Sequence, residues 1–379
     1  MAHVVALDLP AGPGFVEALQ RTWDLGGAAF PLDQRLPAAE RARTLATIAP
    51  THVIGADQEV RSLDGGRTTE DGDALVMATS GTTGHPKGVV LTHDAVAASA
   101  EATSAVVGAD PATDTWLSCL PLAHIGGLSV ITRALHTGTK LMVHERFDAA
   151  AVIGAAADGV TLVSLVTRAL AEVDPALFRF VVIGGAAPPP DRPSNVLATY
   201  GMTETGSGIV YERRPIDGAE LRIDEDEQIF VRGPMLLRAY RTATDDIDPK
   251  DSDGWFRTGD LGTFNDDGSL RVFGRSGEVV ATGGEKVWPE RTERRIAQLA
   301  SVAEVAVTGR PHPDWGHELV ALVVPATGAT VSLDEIRDHV RAELPIWYAP
   351  RALVIVDALP RTALGKIKRH ELPALAEQA

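Results

Sequence analysis

The chain has 379 residues, 45% hydrophobic and 23% charged, the proportions of an ordinary globular protein with room for more than one domain. A formal charge of −16 speaks against a nucleic-acid surface, which needs a basic stripe, so any polyanion must be met by positive charge gathered in a site. A single cysteine, Cys119, excludes an internal disulfide and a cysteine metal cluster; its neighbours Leu117, Leu120 and Leu122 predict a buried, inert thiol on a strand.

The opening Met1-Ala2-His3-Val4-Val5 lacks a basic segment followed by a long apolar run, and no run approaches bilayer length. No signal peptide or membrane span is expected, and a cytoplasmic location is. Strands are predicted over 74–79, 115–120, 140–144, 160–166 and 179–183. Between them 92–107, 126–136 and 149–157 read as helices, with Thr92 or Asp94 capping the first. That alternation signals a layered α/β domain. From Tyr211 onward, short alternating segments at 220–224, 228–232 and 270–273 are parted by Asp and Gly turns, which suggests a β-rich subdomain. After Gly274 come a helix over 289–299, strands over 302–307 and 319–324, and a helix over 333–344, a compact α+β tail. The expected domains are therefore 1–274 and 275–379. Pro188, Pro189, Pro190 and Pro193 break any helix in their stretch.

The segment Thr79-Ser80-Gly81-Thr82-Thr83-Gly84-His85-Pro86-Lys87-Gly88 follows a predicted strand and is expected to lead into a helix. Its glycines let backbone approach a polyanion, its hydroxyls are short donors, and Lys87 is a mobile cation. The Walker spacing cannot be drawn through it, and a flexible surface turn is the plain alternative. The segment resembles the phosphate loop of the adenylate-forming superfamily, which holds acyl-CoA and aryl-CoA ligases, adenylation domains and beetle luciferases. The likeness runs in unbroken order from about Gly26 to Lys366.

The resemblance implies a large N-terminal domain with a β-rich subdomain and a small mobile α+β C-terminal lid, and it implies roles residue by residue. Thr79, Ser80, Gly81, Thr82, Thr83, Gly84 and Lys87 would hold the phosphates of ATP. In Tyr200-Gly201-Met202-Thr203-Glu204, Tyr200 would lie against adenine, Thr203 would bond the α-phosphate and Glu204 would hold Mg²⁺. Gly184, Gly185 and Ala186 are further nucleotide contacts, although the nearby prolines replace a helix usual in the family. Asp260 would accept both ribose hydroxyls, and Arg275 would contact ribose and phosphate. Lys366, in Leu359-Pro360-Arg361-Thr362-Ala363-Leu364-Gly365-Lys366, would offset charge between the attacking carboxylate and the α-phosphate. Gly283 and Gly284, followed by Glu285 and Lys286, together with the Trp315-Gly316-His317 turn, are similar to parts that approach coenzyme A. Gly277 stands where the family usually has Asp or Lys, and the pivot falls there or at Ser276.

The acid is addressed by Leu120-Pro121-Leu122-Ala123-His124-Ile125-Gly126-Gly127-Leu128, similar to the motif where acyl channel meets phosphates, with His124 as its gate and Gly206 nearby. Nine positions on, Arg133 is a cation in an otherwise apolar helix. It either reaches water on the outer face or turns into the pocket to pair with a second substrate carboxylate. The stretch through Gly138-Thr139-Lys140-Leu141 resembles o-succinylbenzoate–CoA ligases of menaquinone biosynthesis, whose substrate carries such a second carboxylate. The implied partners are a small carboxylic acid, ATP with Mg²⁺, and coenzyme A; no nucleic acid is expected, and a homodimer is left open. Three other readings compete: an aryl- or medium-chain acid ligase, a carrier-protein adenylation enzyme, and a non-catalytic nucleotide-binding module. The first is separated by where Arg133 points. No aspartate beside His124 supports an amino acid substrate, and a non-catalytic module would have lost Glu204, Asp260 or Lys366.

Overall fold

The computed structural model describes residues 1–80, 86–186, 188–189, 191–361 and 367–377. By compactness the chain divides into Met1–Leu221 with Val231–Phe256, and Arg222–Phe230 with Arg257–Ala379. The boundary expected at 274/275 lies within the second of these units; it concerns a pivot, whereas this division concerns packing.

Among the described residues, the first unit holds an eight-stranded and a seven-stranded sheet. In the first sheet Val4–Leu7 runs parallel to Ala28–Pro31 and His52–Ile54, and Asp73–Ser80 pairs antiparallel with Pro86–Thr92. In the second, Lys140–Val143, Thr115–Ser118, Leu162–Val166, Phe180–Gly184 and Val196–Met202 are parallel neighbours, and Ser207–Tyr211 closes on the last of them antiparallel. Helices His93–Val107 and Ile125–Thr137 pack on each other; the former also touches strands of both sheets. The layered α/β expectation holds. Thr92 caps the first helix, its hydroxyl accepting from Ala95 N at 3.1 Å.

The phosphate segment precedes the expected helix, which begins at His93; between them Pro86–Thr92 is a strand not foreseen from the sequence, whose residues Val89, Val90 and Leu91 are fully buried. A run of β-branched and apolar residues buried on both faces gains more from the ladder with Asp73–Ser80 than from an early helical turn.

The helix Ile125–Thr137 is buried on all sides from Gly127 through Ala134, Ser129, Thr132 and Arg133 included, the mark of a helix enclosed by protein. Cys119 is buried just beyond the strand Thr115–Ser118, and burial pushes its thiol up to about 12.

In the second unit, strands Gln228–Arg232, Phe256–Phe264 and Leu270–Arg275 belong to a four-stranded sheet. A further sheet is built on the long hairpin Val302–His312 with Gly316–Pro325; the latter strand also pairs at its start with Val280–Thr282, itself joined to Glu285–Val287, and farther along with Ala352–Ile355. Helices Pro289–Ile296 and Leu333–Arg341 cover one face, burying Ile296, Ile336 and Val340 with Val307 and Leu319.

Candidate active site

Within the first unit, the phosphate hairpin sets Thr79 opposite Lys87, and the Thr79 hydroxyl donates to the Lys87 carbonyl at 3.4 Å. The Lys87 ammonium stands 3.3 Å over the ring of Tyr240 and 3.7 Å from Glu204 Oε1. Tyr240 donates its hydroxyl to the same oxygen at 2.7 Å. Glu204 sits on the single turn Thr203–Thr205, and its carbonyl accepts Leu237 N at 2.8 Å, which pins the turn to a neighbouring segment. Cation, carboxylate and phenol thus converge from three separate elements. Gly81, Thr82, Thr83 and Gly84 lie outside the described residues, and Ser80 ends the strand before them.

Tyr200, Gly201 and Met202 end the strand Val196–Met202, beside the end of Phe180–Gly184, so the nucleotide candidates gather at the carboxyl ends of parallel strands. Gly184 faces Thr199, Gly185 has φ +82°, and Ala186 is exposed. The register slips between Tyr200 and Gly201, and any side chain at Gly201 would meet Ser207 O at 2.2 Å. Only glycine permits that approach. Gly206 ends the turn at φ +67°, close to Ser99.

His124 stands at the start of helix Ile125–Thr137. Its Nε2 is 3.0 Å from Arg35 Nη2 and 3.5 Å from Asp33 Oδ2. Burial alone would raise the Asp33 carboxyl, but the hydrogen bonds and positive charge of Arg35 hold it well below the usual carboxylate range.

Arg133, two turns along that helix, does not reach water: it is 1% exposed. Its guanidinium lies 4.5 Å over the Trp116 ring, and Nη2 donates to Ser207 Oγ at 3.2 Å. Nε and Nη1 are buried with no hydrogen-bond partner among the described residues. Burial pulls this guanidinium below its ordinary value. Ser207 in turn reaches Ser129 Oγ at 3.4 Å.

Within the second unit, Asp260 is buried and receives Arg275 Nε at 2.7 Å, so the two expected ribose contacts are already neighbours. Gly283 and Gly284, both at positive φ, turn the hairpin between Val280–Thr282 and Glu285–Val287. A side chain at Gly283 would strike the Trp315 ring at 2.8 Å, and Arg351 stacks on that ring at 3.9 Å. Beside the turn is a recess of about 460 Å³ lined by Lys286, Trp288, Arg291, Trp347 and Tyr348. Lys366 lies outside the described residues.

Residues 66–240 match the model of the AMP-binding enzyme family, and residues 291–366 match that of the AMP-binding enzyme C-terminal domain. A probable 2-succinylbenzoate–CoA ligase of Mycobacterium tuberculosis is 36% identical over 81% of this chain and 85% of its own length. The chain belongs to the AMP-binding enzyme family. Among solved structures, o-succinylbenzoate CoA synthetase of Bacillus subtilis in complex with its acyl-adenylate intermediate superposes with a TM-score of 0.87 at 28% identity, covering 98% of this chain and 88% of the other. The same Bacillus enzyme with ATP and magnesium gives 0.85 at 27%, covering 98% and 89%. The fold is that of the adenylate-forming ligases.

For this AMP-binding enzyme, motif reading did not name the side chains that pack against the expected site residues. Tyr240, Trp116, Ser129, Ser207, Asp33 and Arg35 carry no local signature. Only the Asp33-Gln34-Arg35 turn, following the strand Ala28–Pro31, offered a hint, as a charged pair beside an apolar run.

Proposed function

We propose that this chain is an AMP-forming 2-succinylbenzoate–CoA ligase, joining the succinyl carboxylate of its substrate to coenzyme A in menaquinone formation. The observation that carries the choice of acid is Arg133: a fully buried guanidinium with two nitrogens unpartnered among the described residues and no carboxylate bonded to it. A cation kept in such a place is balanced when a ligand brings a carboxylate, and guanidinium geometry suits that group bidentately. A simple fatty acid has no second carboxylate to offer. The matched names and the acyl-adenylate bound by the Bacillus enzyme agree with this choice.

In the first half-reaction a carboxylate oxygen of the acid attacks the α-phosphorus of ATP, the bond to the bridging oxygen breaks, and pyrophosphate leaves. Thr79 and Lys87, with Ser80, Gly81, Thr82, Thr83 and Gly84 of the same hairpin, hold the phosphates. Thr203 bonds the α-phosphate; Tyr200, Gly201 and Met202, with Gly184, Gly185 and Ala186, bound the adenine; and Asp260 and Arg275 take the ribose. Lys366 neutralises the attacking carboxylate and the α-phosphate as charge builds. Glu204 fits a magnesium ion, since this metal keeps waters and substrate phosphates and asks for only one or two carboxylates. Bound Mg²⁺ supplies charge neutralisation on the phosphates. Tyr240 orients Glu204 through its hydroxyl.

In the second half-reaction the thiol sulfur of coenzyme A attacks the acyl carbon, AMP leaves, and the thiol proton is lost to solvent. His124 and Gly206 border the acyl group, and Gly283 and Gly284 shape the approach of pantetheine. We place the mobile lid at residues 275–379, with its pivot at Ser276 or Gly277. ATP and coenzyme A are cytoplasmic substrates, and we place the enzyme there; a homodimer belongs to this reading and is tested by light scattering. Among the described residues no helix is long and apolar enough to cross a membrane.

Thioester formation with ATP, Mg²⁺ and a panel of o-succinylbenzoate, benzoate, octanoate and acetate tests the proposal. A strong preference for o-succinylbenzoate supports it; preferred turnover of another acid overturns the substrate and leaves the ligase.

A further inference from the structure

Asp33 and Arg35 lie in the turn between strand Ala28–Pro31 and helix Ala38–Ile48, upstream of the phosphate segment and of the His124 motif. Arg35 grips Asp33 with a fork: Nε donates to Oδ1 at 2.8 Å and Nη2 to Oδ2 at 2.7 Å. The Arg35 backbone N–H adds a third bond to Oδ1 at 3.0 Å. A guanidinium held on both arms by one carboxylate has little freedom left. The same Nη2 stands 3.0 Å from His124 Nε2.

Three ring states are to be weighed against that geometry. A neutral ring protonated on Nε2 would set its N–H against the Arg35 N–H and reach Asp33 Oδ2 only at 3.5 Å. An imidazolium could donate from Nε2 to Asp33 Oδ2, but this contact is 3.5 Å long and Oδ2 already accepts from Arg35. It would also set a second cation 3.0 Å from a guanidinium nitrogen. A neutral imidazole with its proton on Nδ1 instead accepts the Nη2 N–H at an ordinary hydrogen-bond distance. The other ring nitrogen fixes which proton is present, as it does for catalytic histidines in general.

We propose that Asp33 and Arg35 are positioning residues for His124, presenting an N–H to Nε2 so that the imidazole stays neutral, protonated on Nδ1, and fixed at the head of the acyl-site helix. The functional consequence rests on the reading of His124 as a residue bordering the acyl group; the ring state does not. With the ring locked, His124 offers a fixed N–H donor and adds no charge that would compete with Arg133 for the substrate's second carboxylate. Asp33 acts at one remove, by aligning the fork that Arg35 presents.

The test uses the full-length protein with nitrogen-15 histidine. The two-bond nitrogen–proton spectrum assigns His124 by the signals lost in His124→Gln. At neutral pH the wild type is expected to show a protonated Nδ1 and a bare Nε2 for this ring. Arg35→Met, which removes the donor, is expected to replace that pattern by a tautomer average, and kcat/KM for the acid falls roughly tenfold or more while KM for ATP holds. Arg35→Lys keeps one donor and restores the ring pattern. Asp33→Asn loosens the fork and moves the ring signals in the same direction by less. A wild-type ring protonated on Nε2, or an unchanged ring pattern in Arg35→Met, overturns the proposal. Turnover of a different acid by the wild type would fall on the substrate assignment alone, since the ring signature is read without turnover.

Discussion

The guanidinium of Arg133 lies 4.5 Å over the indole of Trp116, and both side chains are buried, at 1% and 0% exposure. Cation–π attraction offsets only part of the desolvation of a buried charge. Such a residue is retained at the expense of stability, so replacing it with an apolar side chain should relieve the fold. Arg133→Met is expected to unfold at the same temperature as the wild type or a few degrees higher. A clear fall in thermal midpoint would show that the guanidinium holds the core together instead.

Glu204 is held by Tyr240 and faced by Lys87. Glu204→Gln removes the negative charge that suits magnesium, and ATP–pyrophosphate exchange should drop by on the order of 100-fold or more. Tyr240→Phe removes one hydrogen bond worth about 1 kcal/mol, so KM for ATP should rise only several-fold. Equal losses in the two variants would deny Glu204 its separate part.

For Lys366 the separation is between half-reactions. Lys366→Ala should abolish adenylate formation and leave thioester formation from supplied acyl-AMP close to the wild-type rate. Rapid-quench measurement of both steps decides this, and comparable losses would contradict the assignment.

Arg369 gathers three carboxylates in the second unit: Glu278 at 2.9 Å, Glu293 at 2.8 Å and Glu290 at 3.8 Å. Burial raises Glu278 to about 6 from 4.5, with Arg369 opposing and Glu290 and Glu293 adding to the rise. The folded state therefore binds this proton more tightly than the unfolded chain. Its contribution is fully present below 4.5 and is lost as pH rises through about 6. Glu278→Gln cannot titrate, so its stability relative to the wild type should climb across that window and level off above it. Thermal midpoints of both proteins, taken from pH 4.5 to 7.5, provide the check. Parallel curves would contradict it.

Much of this fold was legible where local chemistry decides. Thr92 read as a cap because a hydroxyl before an Ala-rich run has one evident use, and Ala149–Ala157 was read to the residue. The helix expected over 333–344 is regular only to Arg341, although Leu344 N still donates to Val340 O at 2.9 Å; Pro345 prevents it from continuing beyond. The strand expected over 302–307 runs on to His312, because Arg310 pairs across the ladder with Glu318 at 2.7 Å, a partner no local window contains. The same limit governs the site. Glu204 and Arg133 stand out by residue type in their setting, whereas Tyr240 and Trp116 reach them only through the packing of distant elements.

The most direct measurement compares o-succinylbenzoate with 4-oxo-4-phenylbutanoate, the same acid without its ring carboxylate, in the wild type and in Arg133→Met. Both acids carry the carboxylate to be activated; only one carries the group assigned to Arg133. The expected result is a wild-type preference in kcat/KM on the order of 100-fold or more for o-succinylbenzoate, nearly abolished in the variant because that acid loses its partner. A wild type that uses the two acids equally, or a variant that keeps the preference, would contradict the central claim.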